Sequence, residues 1–317
     1  MAAGSHLESF YVTPENIYGN TLLITGDEFA HLTKVLRKRV GDQISVVDGC
    51  GNRYDVSIVS LTRDSAKAEI LRRRRLVGEP LVEVTLAAAV IKGPRFDWLV
   101  EKATEIGVRC ILPVISQRCV VVPGELKKNR WQRIAIAAMK QCGRTILPKI
   151  LKTMSVEEVV KHFSNVPIKL VTEAGSKGSI RQIAFSYHDK RGDFPRKVLI
   201  LVGPAGGFTS EEITIAQEHG FECVSLGQRR LRSETAAILG APLLLWALEE
   251  LCPCQLGPRF LIKKEQLFLS NLCKGGIRWS IAPFVELSPN KCQGKLSMRM
   301  RRLSLSKTSI LRHLFTF

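Results

Sequence analysis

The feature that most limits the fold of this chain lies in 81–251, where continuous apolar runs alternate with amphipathic ones. "VEVTLAAAVI", "CILPVI", "VPIKLVTEA", "RKVLILVG" and "FECVSLG" read as buried strands. Between them, "RFDWLVEKATEIG" sets Phe96, Leu99, Val100, Ala103 and Ile106 on one helical face. "NRWQRIAIAAMKQC", "SVEEVVKHF", "TSEEITIAQEHG" and "SETAAILGAPLLLWALEEL" read as further helices. Continuous apolar strands interleaved with helices imply an α/β fold, a parallel sheet covered on both faces. Ligands of such sheets bind outside the carboxyl ends of the strands.

Residues 10–77 follow another pattern. "NTLLITG" and "DQISVVDGCGNRYDVSIVSL" alternate apolar and polar residues around Asp48-Gly49 and Gly51-Asn52, which are hairpin signals. In "DEFAHLTKVLRKRVGD", Phe29, Leu32, Val35 and Leu36 share a helical face, with Lys34, Arg37, Lys38 and Arg39 largely off it. A solvated face is one reading of that charge run. A second cluster, Arg72, Arg73, Arg74 and Arg75, closes the same segment and favours phosphate contacts. Gly78-Glu79-Pro80 reads as a linker between this segment and 81–251.

The net charge of +18 divides unevenly. From Cys252 onward there are 12 Lys and Arg against 2 acids, so 252–317 reads as a basic extension of unknown role. The rest of the chain is still basic, which favours a polyanionic partner, most simply a nucleic acid. Nine scattered cysteines with no CxxC pair predict reduced thiols, no disulfide framework and no metal. No run reaches the length of a membrane span: 236–251 contains Pro242 and ends in Glu249 and Glu250. A cytoplasmic protein is expected, or one of an organelle matrix in a eukaryote.

A candidate site stands at "LILVGPAGGFTSEEI", an apolar strand that stops at a glycine-rich turn. No Lys-Ser/Thr follows its last glycine, as a phosphate loop requires, and Gly203, Gly206 and Gly207 lack dinucleotide spacing. Gly206 and Gly207 allow close approach to bare backbone, and Thr209 with Glu212 forms a capping box for the next helix. A plain strand-to-helix turn explains the same letters equally well. "VSLGQRRLRSETAAILG" repeats the arrangement, with Arg229, Arg230 and Arg232 before a helix start. There Ser233 is a candidate cap, or Glu234 and Thr235 sit in the first turn for dipole reasons. Two adjacent strand ends of this kind would frame a flat ligand, with arginine nearby for an oxyanion.

These two stretches, with "HLTKVLRKRVGD", "KGPRFDWLVEKATEIGV" and "WQRIAIAAMKQCGRTILPKI", resemble the RsmE family of ribosomal RNA methyltransferases, of the SPOUT class. The resemblance runs in order over about four-fifths of the chain. It implies a small PUA-like β-barrel for RNA (10–77) and a SPOUT domain with a parallel sheet tied in a trefoil knot (81–251). It also implies a homodimer, S-adenosyl-L-methionine as cofactor, and methylation of N3 of a uridine in small-subunit ribosomal RNA, with the 30S-type particle as partner. Carried over, Leu201, Gly203, Pro204, Gly206 and Gly207 form one cofactor loop, Leu226 and Gly227 a second, and Leu231 with Arg232 a third. Arg232, Glu234 and Thr235 would lie nearest the transfer, and Arg144 is implied as an RNA contact. The chain departs from the family at Ala205, where a glutamate is usual, and in its extension beyond Leu251. An assembly factor that keeps the fold without catalysis, or an enzyme for another RNA, remain alternatives.

Overall fold

The computed structural model describes residues 9–119, 125–248 and 250; the extension 252–317 lies outside the described residues. The chain opens with β1 (Ser9–Tyr11), β2 (Ile17–Tyr18), β3 (Thr21–Thr25) and the short α1 (Gly26–Ala30). β4 (Gln43–Val47), β5 (Asn52–Leu61) and β6 (Ser65–Arg75) follow. These strands make one mostly antiparallel sheet in the order β1-β4-β5-β6-β3-β2. Alternation puts Leu22, Ile24, Ile44, Val46, Val56 and Ile58 on its inner face, packed with Phe10 and Leu32.

Two sequence expectations change here. The helix of "DEFAHLTKVLRKRVGD" is short and widens into one π-turn, with Leu36 N–H donating to His31 O at 3.1 Å. The wider turn swings Val35 off the inner face, leaving it 64% exposed, while Leu32 stays buried. Arg37 then leaves the helix at φ +52°. The run Arg72–Arg75 is not one patch either, because it lies in β6, where successive side chains point to opposite faces. Arg74 is spent on Asp55 at 2.7 Å, and Arg73 donates to Asn52 Oδ1.

The second sheet is built from β7 (Glu83–Ala89), β8 (Cys110–Ile115), β9 (Lys149–Ile150), β10 (Met154–Ser155), β11 (Ile168–Thr172), β12 (Lys197–Val202) and β13 (Glu222–Val224). All its pairings are parallel, in the order β10-β8-β7-β12-β11-β13, with β9 also on β8. Six helices cover it: α2 (Arg95–Ile106), α3 (Glu125–Cys142), α4 (Val156–His162), α5 (Ile180–Arg191), α6 (Ser210–Glu218) and α7 (Ser233–Ala247).

Alternate strand residues divide between two cores. Val198, Ile200 and Val202 face α2, α3, α5 and α7, while Leu199 and Leu201 face α4 and α6. Within α2, Phe96, Leu99 and Val100 are buried as their spacing predicts, each contributing about 1.5–3 kcal/mol. α5 was not expected from the sequence. Its Ile180, Ile183, Ala184 and Tyr187 carry the helical spacing, and Gly192 ends it in the left-handed conformation that glycine tolerates.

The linker reading of Gly78-Glu79-Pro80 also needs correction at its centre. Glu79 is buried against Arg144, with Arg144 Nη2 at 2.8 Å from Glu79 Oε2. Its other oxygen accepts from the N–H groups of Thr145 and Ile146 at 2.7 and 2.9 Å. Across the same segment, Gly51 N–H donates to Thr145 O and Leu147 N–H to Gly49 O. The β4–β5 turn and the linker therefore grip 144–147 from two sides.

Candidate active site

β12 sits between β7 and β11 and ends at Val202, so its turn opens at the carboxyl edge of the sheet. A side chain at Gly203 would crowd Phe208: a Cβ there would lie 3.1 Å from the ring, which would have to give by a few tenths of an ångström. The turn closes with Gly207 N–H on Pro204 O at 2.9 Å, and Gly207 takes φ +70°. Ala205, Gly206 and Gly207 form its exposed tip. α6 starts at once, with the capping box read from the sequence: Thr209 Oγ1 accepts from Glu212 N–H and Thr209 N–H donates to Glu212 Oε2. Glu211 beside it is held below the ordinary carboxylate range, chiefly by its backbone N–H and by Thr209, with Arg118 adding to the effect.

The second stretch reaches this turn by a different route from the one expected. β13 is not adjacent to β12, because β11 lies between them. The loop after β11 crosses β13 closely: Ser225 N–H donates to Gly178 O at 3.0 Å, and a Cβ on Gly178 would meet Cys223 O at 1.9 Å. The two stretches are instead joined at α7. Its N-cap is Arg232, which makes no side-chain cap; Ser233 is not the cap, and its hydroxyl donates to Gly203 O. Further along, Gly240 lets α7 lie against β12, where a Cβ would be 2.6 Å from Ile200 Cδ1 and 3.9 Å from Leu226 Cδ1.

Gly203, Ser233 and the start of α7 are thus fixed together; Leu226 packs on the same core as α7, while Leu201 is buried on the opposite face of the sheet. Gly227, Arg229, Arg230, Arg232 and Thr235 are exposed, and Leu231 is half-buried. Glu234 is buried, with Arg95 Nη1 at 3.8 Å from its Oε1. Arg95 escaped the sequence reading. Its place, just after β7 at the carboxyl edge of the sheet, was the available signal.

Arg118 was missed as well. It follows β8, and its Nη1 donates to both Gly206 O and Phe208 O. Arg144, in contrast, is not placed to hold RNA. It is 4% exposed, and its donors go to Glu79, Thr104 O and Val108 O, so it is a structural residue. On the N-terminal sheet domain, Lys34, Arg37, Arg39, Arg72 and Arg75 are exposed, and Lys38 is half-buried.

Known proteins resemble this arrangement. Residues 78–244 match the family model of an RNA methyltransferase domain, and 24–71 match that of an RNA methyltransferase PUA domain. Ribosomal RNA small subunit methyltransferase E of Mesomycoplasma hyopneumoniae is 34% identical over 60% of this chain and 81% of its own. The Synechocystis protein of the same name is 31% identical over 71% and 73%. The crystal structure of ribosomal RNA small subunit methyltransferase E from Neisseria gonorrhoeae, bound to S-adenosyl methionine, superposes with a TM-score of 0.66. That protein is 32% identical, and the match covers 76% of this chain and 98% of that one.

Proposed function

This chain belongs to the ribosomal RNA small subunit methyltransferase E family, and on that premise we propose that it methylates N3 of a uridine in small-subunit ribosomal RNA. The observation that carries the reading is the bare-backbone turn Gly203–Gly207 bonded through Ser233 to the start of α7. That arrangement suits S-adenosylmethionine better than a phosphate ligand. The turn offers peptide groups without side chains to a flat adenine, and it lacks the lysine that a phosphate loop needs. When bound, the cofactor supplies an electrophilic methyl group on a sulfonium.

In this reading Leu201, Gly203, Pro204, Gly206, Gly207, Leu226, Gly227 and Leu231 line the cofactor pocket. Arg232, exposed just before α7, stabilises negative charge on the uracil oxygens as the imide proton leaves. Glu234, held beside Arg95, and Thr235 in the same helical turn orient the reacting groups. Lys34, Arg37, Lys38, Arg39, Arg72 and Arg75 contact the RNA backbone.

A second copy of the chain completes the protein. α7 is apolar almost all round, and it leaves Trp246 54% and Leu239 36% exposed. Exposed aromatic surface of this kind suits a homodimer contact. A sedimentation mass of one chain would overturn that assignment. An enzyme of ribosomal RNA works where ribosomes are, in the cytoplasm or, in a eukaryote, an organelle matrix; no helix among the described residues is long and apolar enough to cross a membrane.

The direct test incubates the full chain with isotopically labelled S-adenosylmethionine and small subunits lacking the modification, then maps labelled nucleosides by mass spectrometry. Label on N3 of one uridine is expected. Label on another nucleotide would point to another RNA target. RNA binding with no cofactor binding would mean a non-catalytic assembly factor.

A further inference from the structure

The turn that the proposed function assigns to the cofactor does not hold its own shape. Gly206 and Gly207 are adjacent, and glycine loses more conformational freedom on ordering than any other residue. One internal hydrogen bond, Gly207 N–H to Pro204 O, closes the turn. Ser233 anchors the start of the turn at Gly203 O, and its tip and base are restrained from 116–118, the segment that leaves β8 two strands away.

Two contacts make that restraint. Glu212 is buried and uses both carboxylate oxygens, one on Thr209 N–H and the other on Gln117 N–H, each at 2.8 Å. It therefore ties the base of the turn to the segment beyond β8. Arg118 then reaches over the tip, and its Nη1 donates to Gly206 O and Phe208 O. Its aliphatic stem lies along the bare face of Gly206, with Cδ 3.4 Å from where a Cβ would stand. A guanidinium that holds Gly206 O fixes the plane of the 206–207 peptide, and so fixes where Gly207 N–H and the neighbouring carbonyls point.

We propose that Arg118 is a positioning residue for the cofactor turn: with Glu212 it clips 203–209 into its binding shape before the cofactor arrives. The proposal rests on the assignment of this turn to S-adenosylmethionine. Ordering two glycines in advance lowers the entropy cost of binding, so the clip acts on affinity and leaves the chemical step alone. Charge-assisted hydrogen bonds from an exposed guanidinium are consistent with roughly a tenfold change in the dissociation constant.

The experiment compares wild type, Arg118→Ala and Arg118→Lys, with S-adenosylmethionine affinity measured by calorimetry. It adds kcat at saturating cofactor, thermal midpoints, and hydrogen exchange of the 206–209 amides in the free proteins. Arg118→Ala is expected to weaken cofactor binding about tenfold and to speed exchange at 206–209, with kcat and the thermal midpoint nearly unchanged. Arg118→Lys, which keeps the charge but not the fork, should recover part of the affinity. Unchanged affinity and exchange in Arg118→Ala would overturn the proposal. So would a collapse of kcat at full affinity, which would move Arg118 to the RNA substrate. Failure of wild type to bind S-adenosylmethionine would instead remove the functional reading on which the proposal stands.

Discussion

The Glu79–Arg144 pair offers the sharpest test of how the two sheets are joined. Replacing Glu79 with Ala strips Arg144 of its carboxylate while leaving the guanidinium buried; the two side chains are 2% and 4% exposed. Arg144 Nη1 keeps Thr104 O and Val108 O, but Nε, Nη2 and the N–H groups of Thr145 and Ile146 lose their acceptor. Removing one partner of a buried ion pair costs about 3–5 kcal/mol, because the survivor is left uncompensated. For a folded unit of this size each kcal/mol lowers the thermal midpoint by about 2–4 °C, so a fall of roughly 6–20 °C is expected. Urea unfolding followed by circular dichroism measures the loss, and Arg144→Met with the double variant completes the cycle. The double variant should lose less than the sum of the singles, since it leaves no buried charge. A loss below about 1 kcal/mol in Glu79→Ala, or strict additivity, would refute the reasoning. Loss of RNA affinity in Arg144→Met at full stability would restore the RNA contact.

Gly178→Ala should cost at least about 1–3 kcal/mol, because its methyl would be driven into the Cys223 carbonyl, which is backbone and cannot swing away. An unchanged urea midpoint would mean that the loop after β11 does not cross β13 this closely. Burial also pushes the thiol of Cys110 above its ordinary 9.0. The unfolded chain releases that proton first, so its contribution to stability is intact below the ordinary value and is lost as pH rises past it. Urea midpoints should fall between about pH 8 and about pH 10, and less steeply in Cys110→Ala; equal slopes would show that this thiol stays protonated in neither state preferentially.

β7, β8, β11 and β12 were legible because each is largely a run of Val, Ile, Leu and Ala that a two-sided parallel sheet buries, whereas β9 and β10, two residues each, carry no such run. The capping box of α6 was legible for a related reason: Thr209 and Glu212 act on each other across one turn. α5 was harder to see. Its apolar face is Ile180, Ile183, Ala184 and Tyr187, diluted by "RQ", "FS" and "HDKR", and a strand follows before any strong periodicity builds. Strand adjacency could not be read from chain order, since a parallel sheet places β11 between β12 and β13 without leaving any mark in either glycine-ended stretch.

The arginines show where sequence reading stops. Arg74, Arg118 and Arg144 carry the same side chain, yet one pairs with Asp55, one clips a glycine turn and one is buried on a linker carboxylate. What distinguishes them is the acceptor, and the acceptor is far away in the chain. Arg118 meets Gly206 across 88 positions, and Arg144 meets Glu79 across 65. A local pattern reports propensity and periodicity, both of which decay within a few residues. The partner of a charged group is fixed only when the sheet closes. The cofactor turn therefore announces itself in "GPAGG", while the residue that holds it in shape sits unmarked after another strand.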